Sequence, residues 1–325
     1  MDDIFIEDEN PANFLGCCDR SEYEILIFFC IFQLKNRNIG ISRERGILHE
    51  RASSGIYMGD EGRIALHAAS HPLARTLLER GIPQFHRFSV PQFERLRVQK
   101  EHASALEHFP EAIGSISDSA SVSVHVTERQ NDLSSFGQTV SPVIYLSPPG
   151  ELEEGMNLQI HIHDLLTTDA STEVGEMFHQ WWEMANRDET PIIGLDGAYW
   201  CSCDDVAEGL LRLIKGGFPS GGSMNVCGRR YWSMEATWLE FEMLVSRTLA
   251  GREGRFNLSH LQADEGPVVE VEDLKTAQKR IPRPSLDRLH ESLESISNEG
   301  WNPRTPFRQS LMLIVAELAH HYKMS

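Results

Sequence analysis

Residues 63–81 read RIALHAASHPLARTLLERG. A short apolar run enters a turn of small residues, and leucines at helical spacing follow. Strand, tight turn and helix in that order make the opening unit of a dinucleotide-binding α/β fold. Such a turn ordinarily carries glycines, because a backbone without Cβ atoms can turn sharply and approach a pyrophosphate. The amides at the helix start then face the anion. Here no glycine occurs before Gly81. Ala68, Ala69 and Ser70 are small, but His71 and Pro72 stand where the approach is closest, and Ala74 replaces the last glycine. Proline is comfortable in a first helical turn yet supplies no N–H. Two outcomes are open: an altered phosphate cradle with Ala69, Ser70, His71 and Leu73 against a cofactor, or an ordinary strand–helix turn.

The chain has room for such a fold. Its 325 residues, 41% of them hydrophobic, suffice for one large α/β domain or a domain with a smaller companion. Asp and Glu number 48 against 30 Lys and Arg, a formal net charge of −18. A surface of that sign repels phosphate backbones and anionic lipid, which argues against a nucleic-acid partner. The six cysteines, Cys17, Cys18, Cys30, Cys201, Cys203 and Cys227, form no CxxC pair, which predicts reduced thiols in a cytoplasmic protein. The acidic opening MDDIFIEDEN is the opposite of a secretory n-region. The apolar run ILIFFCIF at 25–32 is well short of the ~20 residues that a spanning helix requires.

Regular alternation begins at Arg63. After the first unit, PQFHRFSV predicts a second strand, and SVSVHV (121–126), SPVIYLSPP (141–149) and LQIHIHDLL (158–166) predict three more. Gly81 is read as a helix C-cap. A long amphipathic helix is expected around EVGEMFHQWWEMANRD, with Met177, Trp181, Trp182 and Met184 largely on one side. Asp204 or Asp205 would cap the helix of CDDVAEGLLRLIKGG, and Gly216-Gly217 would close it. Strands alternating with helices imply a mostly parallel sheet covered on both faces.

Three later stretches carry a family likeness in order: IIGLDGAYWCSCDDVAEGLLRLIKGG, GGSMNVCGRRYWSMEATW, and RIPRPSLDRLHESLESISNEGWNPRTPFRQSLMLIVAELAHHY. Together they resemble the extended short-chain dehydrogenase/reductase family, which includes nucleotide-sugar epimerases, dehydratases and deoxysugar reductases. The resemblance implies a Rossmann-type doubly wound sheet with a small C-terminal substrate lobe, NAD or NADP as cofactor, and a nucleotide or nucleotide-sugar ligand. It divides the chain into an N-terminal extension of unclear role (1–60), a Rossmann-like core (61–170), and the rest of the core with substrate-lobe elements and C-terminal helices (171–325). Arg87 falls where the family chooses its cofactor, and a basic residue there favours NADP. Asn225 and Arg229 fall on the ligand side of the small lobe.

The family's chemistry uses a Tyr as acid/base, a Lys four residues later to lower its pKa, and a Ser or Thr to orient the substrate. Positions four apart share a helix face, hence the spacing. This chain contains no Tyr-x-x-x-Lys. SPVIYLSPP resembles the strand that ends at the family's serine, which makes Ser147 its counterpart. Only GELEEGMN (150–157) then precedes the next strand, too little for a helix bearing Tyr and Lys with its connections. Both the glycine turn and the acid/base helix are thus expected to be degenerate. That favours a catalytically impaired nucleotide or nucleotide-sugar scaffold, self-associating or partnered with a related active enzyme. The alternative is an active epimerase, dehydratase or reductase in which Ser147 is helped by Tyr145 or Tyr199. The pair His161 and His163 has a spacing that can bind metal, but no third ligand is evident, so no metal is expected. Cys201 and Cys203 read as packing. Trp181 or Trp182 could stack a base or sugar only if exposed.

Overall fold

The computed structural model describes residues 62–116, 120–126, 143–147, 149–150, 157–194, 197–219, 221–260 and 281–324. Residues 1–60, with the apolar run at 25–32, lie outside the described residues. Seven strands make one sheet: β1 (Arg63–His67), β2 (Arg87–Val90), β3 (Ile113–Ser115), β4 (Ala120–Val126), β5 (Val143–Ser147), β6 (Leu158–Ile162) and β10 (Ser223–Val226), in the spatial order β10-β6-β5-β4-β1-β2-β3. Every pairing in it is parallel. The chain builds outward from β1 through β2 to β3, then returns to lay β4 on the other side of β1. That reversal is the switch point of a Rossmann-type sheet, with a crevice at the carboxyl ends of β1 and β4.

The register explains the strand sequences. Pairing aligns Leu66 with Val124, His67 with His125, His125 with Tyr145, and Tyr145 with Gln159. Because side chains alternate, Ile64, Leu66, Val122, Val124, Ile144, Leu146, Leu158 and Ile160 share one apolar face. They join the main core with α1 (Pro72–Gly81) and a later helix, α5 (Cys203–Gly216). The opposite face is polar yet buried: Ser123, His125, Tyr145, Ser147, Gln159 and His161 all belong to the interior. Gly81 is not a left-handed cap. The helix runs on as a 3-10 turn, Ile82–Gln84, and Phe85 takes the left-handed conformation at φ 66°. A Cβ at Gly81 would lie 2.5 Å from the Phe88 ring, so glycine serves close helix–sheet packing.

After α2 (Gln92–Glu101), α3 (Ala103–His108) and the central strands, β7 (Leu165–Leu166) pairs with β9 (Cys201–Ser202), and β8 (Gly197–Ala198) pairs antiparallel with β11 (Trp232–Ser233). Helices α4 (Glu173–Asn186), α6 (Met234–Arg252) and α8 (Phe307–Met324) enclose a second core; α7 (Asp287–Ser297) packs on α5. Phe178 meets Trp181 edge-on at 5.7 Å and Phe241 at 5.4 Å. Trp181 and Trp182 are 5% and 3% exposed and belong to this second core. The cap of α5 is Ser202, not an aspartate. Its hydroxyl oxygen accepts from the Asp205 amide at 3.0 Å and its O–H donates to the Asp205 carboxylate at 2.8 Å. Gly217 closes that helix at φ 86°, as expected. Among the described residues, no helix is long and apolar enough to cross a membrane.

Candidate functional site

The switch-point turn is already full. Ala68 follows β1 at φ 57°, a conformation that costs a non-glycine residue on the order of 1 kcal/mol. A left-handed residue makes the following amides converge into a concave anion nest. The amides of Ala69 and Ser70 donate to one carboxylate, that of Glu94, at 3.2 and 3.1 Å. Glu94 comes from the first turn of α2, is 6% exposed, and is also bridged by Arg97 at 3.2 Å. At four of the next five positions no amide is free. The His71 amide bonds to the Ala68 carbonyl at 3.0 Å, Pro72 has none, and the Leu73 amide donates to His71 Nδ1 at 3.1 Å. The Arg75 amide bonds to the His71 carbonyl at 3.0 Å.

His71 must be neutral to accept through Nδ1. Burial depresses its pKa to about 4, with Asp169 opposing and Arg75 assisting. At the strand ends the His67 and His125 rings stack with centroids 3.9 Å apart and planes 8° apart. Burial lowers both, and the charge of His67 adds to it for His125, which falls to about 3. Two neutral imidazoles therefore wall the crevice beside Glu94. Replacing Ala68 by glycine removes the left-handed strain and leaves the amides in place. We expect A68G to raise stability by about 0.5–1 kcal/mol, measured as the urea midpoint at constant m-value.

The end of β5 is equally closed. Ser147, 2% exposed, ends β5; Gln159 Nε2 donates to its Oγ at 3.2 Å, and His161 Nδ1 stands 3.5 Å away. The Gln159 bond occupies one of the two lone pairs of Oγ, and the imidazole tautomer sets which way the Ser147–His161 contact runs. Tyr145 lies two residues earlier on the same strand face, fully buried in mid-sheet. Tyr199 is elsewhere: its O–H donates to the Ile281 carbonyl at 3.2 Å and its amide to the Asp164 carboxylate at 2.7 Å. No contact among the described residues brings Tyr199 to Ser147. Asn225 joins His163 Nε2 at 3.0 Å through Oδ1 and donates from Nδ2 to the Ser285 carbonyl at 3.1 Å. Arg229 donates to the Trp301 carbonyl at 2.6 Å.

One placement corrects an expectation. Arg87 opens β2, in register with Arg63 at the amino end of β1, and faces Glu111 at 3.9 Å. It stands at the edge of the sheet opposite the crevice, so it cannot read a 2′-phosphate there. His161 lies in β6, and His163 follows just past its end at Ile162, before Asp164 turns the chain at φ 52°. Among the described residues no cluster of three His, Cys, Asp or Glu could hold a metal ion. Of the described cysteines, Cys201 and Cys227 are buried and Cys203 is half-buried. Cys201 Sγ donates to the His163 carbonyl at 3.2 Å, and burial pushes the Cys227 thiol up to about 12. Sequence reasoning missed Glu94 entirely. Its signal, an acidic residue at the start of the helix after the second strand, means nothing until that helix is packed against the turn.

The residues at the turn do not fit a dinucleotide diphosphate as they stand, because the amides of Ala69, Ser70, His71 and Leu73 are engaged within the chain. No family model and no curated protein matches the sequence. Solved structures do. The chain is similar to the aureusimine biosynthetic cluster reductase domain at 10% identity and TM-score 0.50, covering 83% of this chain and 94% of that one. It is also similar to UDP-N-acetylglucosamine 4-epimerase from Bacillus cereus, at 9% identity and TM-score 0.49 over 79% of this chain and 99% of that one. A third is the Bordetella bronchiseptica enzyme WbmF in complex with NAD+ and UDP, at 11% identity and TM-score 0.48 over 81% and 94%. At these identities the likeness is one of fold: with the strand order already described, the chain has a Rossmann-type α/β architecture.

Proposed function

We propose that this chain is a catalytically impaired relative of the NAD-dependent epimerases, dehydratases and reductases, acting as a nucleotide or nucleotide-sugar binding or regulatory scaffold. The observation that carries it is the β5–β6 connection. β5 ends at Ser147 and β6 begins at Leu158, side by side and parallel. Ten residues must therefore return the chain along the length of the strand, fewer than the dozen or more that a parallel crossover usually takes. Their sequence, PPGELEEGMN, contains neither Tyr nor Lys. An acid/base helix on that connection has no room and no residues. The loss of a free phosphate cradle acts in the same direction.

In this reading the core 61–170 and the elements of 171–325 form the scaffold, and Asn225 and Arg229 mark the side on which a nucleotide sugar binds. Cysteines that form no CxxC pair accord with a cytoplasmic setting. The partner is a second copy or a related active enzyme. The test is a titration of the purified full chain with NADH, NADPH and UDP-glucose, followed by cofactor fluorescence and calorimetry, with a turnover assay on UDP-glucose plus NAD. We expect no cofactor binding up to millimolar concentration and no turnover. UDP-glucose binding is expected to weaken about tenfold in N225A, the loss of one good polar anchor. Micromolar NADH binding with turnover sinks the proposal and returns Ser147, Tyr145 and Tyr199 to candidacy as catalytic residues.

A further inference from the structure

We propose that Glu94 is an internal occupant of the anion nest at the switch point, a carboxylate standing where a phosphate would bind and keeping anionic ligands off the turn. Three observations converge on it. The nest exists: Ala68 holds φ 57°, so that the next two amides face one point. It is filled by charge, since each carboxylate oxygen of Glu94 takes one of those amides, Oε2 from Ala69 and Oε1 from Ser70. The arrangement is also built to last. Glu94 is 94% buried, and Arg97 holds the oxygen that accepts from Ser70. A phosphate brought to these amides would have to expel a buried carboxylate from two charge-assisted hydrogen bonds while its own charge lay beside it.

This deepens the scaffold reading by naming what closes its phosphate turn. It predicts a gain of binding upon loss of a side chain, which a merely structural fastening would not give. E94A should leave the Ala69 and Ser70 amides open. We expect it to bind inorganic pyrophosphate at least tenfold more tightly than the wild type by calorimetry. In the same variant, the Ala69 and Ser70 amide resonances should move on titration, followed by NMR with selective alanine and serine labelling. E94Q, which keeps the volume and removes the charge, should gain affinity in the same sense if E94A does not fold. In the wild type the two amide resonances should stay in place with 10 mM pyrophosphate, a reading that needs no variant. Folded E94A or E94Q with unchanged affinity, or movement of the two wild-type resonances, overturns the assignment of Glu94. Turnover of UDP-glucose by the wild type would defeat the scaffold reading instead, so the two failures are distinguishable.

Discussion

Lowering the pH from 7.5 to 4.5 should cost this protein on the order of 3–5 kcal/mol of folding stability, well before most carboxylates are protonated. The cause is the set of buried neutral imidazoles, of which His125, His71 and His67 stand at the sheet's crevice. Burial depresses His125 to about 3 and His71 to about 4, and lowers His67, His86 and His102 in the same direction. In the unfolded chain these groups take up protons near the ordinary histidine value of ~6.5. The unfolded state therefore binds more protons below pH 6.5, and the stability present above that value drains away as pH falls toward the folded pKa values. Asp169 acts the same way at lower pH. Burial raises it, but bonds from the Ser171 hydroxyl and amide and the charges of His71 and Arg75 outweigh that and hold it below the ordinary carboxylate value. Urea titrations at pH 7.5, 6.0 and 4.5 measure the effect. In H125F, which keeps an apolar ring in the buried stack, the drop should shrink by about half, because one of the two most shifted groups is gone. A pH-independent midpoint between 7.5 and 4.5 contradicts the neutral, stacked pair.

Gly175→Ala should destabilise by about 3 kcal/mol or more, lowering the melting temperature by roughly 6–12 °C. Gly175 is the third residue of α4, and its amide donates to the Thr172 cap at 2.8 Å. Thr172 Oγ1 in turn donates to the Asp169 carbonyl at 2.8 Å. A Cβ at Gly175 would lie 1.9 Å from that same carbonyl oxygen and 2.4 Å from its carbon. Backbone on both sides leaves nothing flexible to yield, so the methyl forces the cap apart and disturbs Phe178, one turn on in the second core. Gly251 is the control, since a Cβ there meets nothing within 4 Å. G251A in the last turn of α6 should be neutral or stabilising by up to ~1 kcal/mol through helix propensity. Equal melting temperatures for G175A and the wild type contradict the packing described for the start of α4.

Much of the architecture could be read from local pattern. The strands at 63–67, 121–126, 143–147 and 158–162 are short runs of apolar or alternating residues, three of them flanked by Gly, Pro or Asn, and the period-two signal needs no tertiary information. The helices of 173–186 and 203–216 show themselves by their apolar stripes, and Gly217 by the position it must take after the last turn. Errors came where two local readings compete and packing chooses. Ser202 and the aspartates beside it are all good caps, and the chain's exit from β9 selects the serine. Gly81 looks like a helix end, but the Phe88 ring beneath it is what requires a glycine.

The site divides along the same line. The sequence alone determined that the turn after β1 lacks glycines, that Pro72 supplies no amide, and that 148–157 contains neither Tyr nor Lys. These are statements about composition within a few residues, and no fold can alter them. Only the tertiary structure decided the rest. Register across β1, β4, β5 and β6 gathered His67, His125, Tyr145, Gln159, Ser147 and His161 onto one face, all but the half-buried His67 in the interior, although 94 residues separate the first from the last. The parallel start of β1 and β2 carried Arg87 to the edge away from the crevice. The packing of α2 brought Glu94, 24 residues along the chain from Ser70, onto amides that the sequence left available. Hydrogen bonds act over about 3 Å, and which groups come that close is set by how strands pair and helices pack, not by their spacing along the chain.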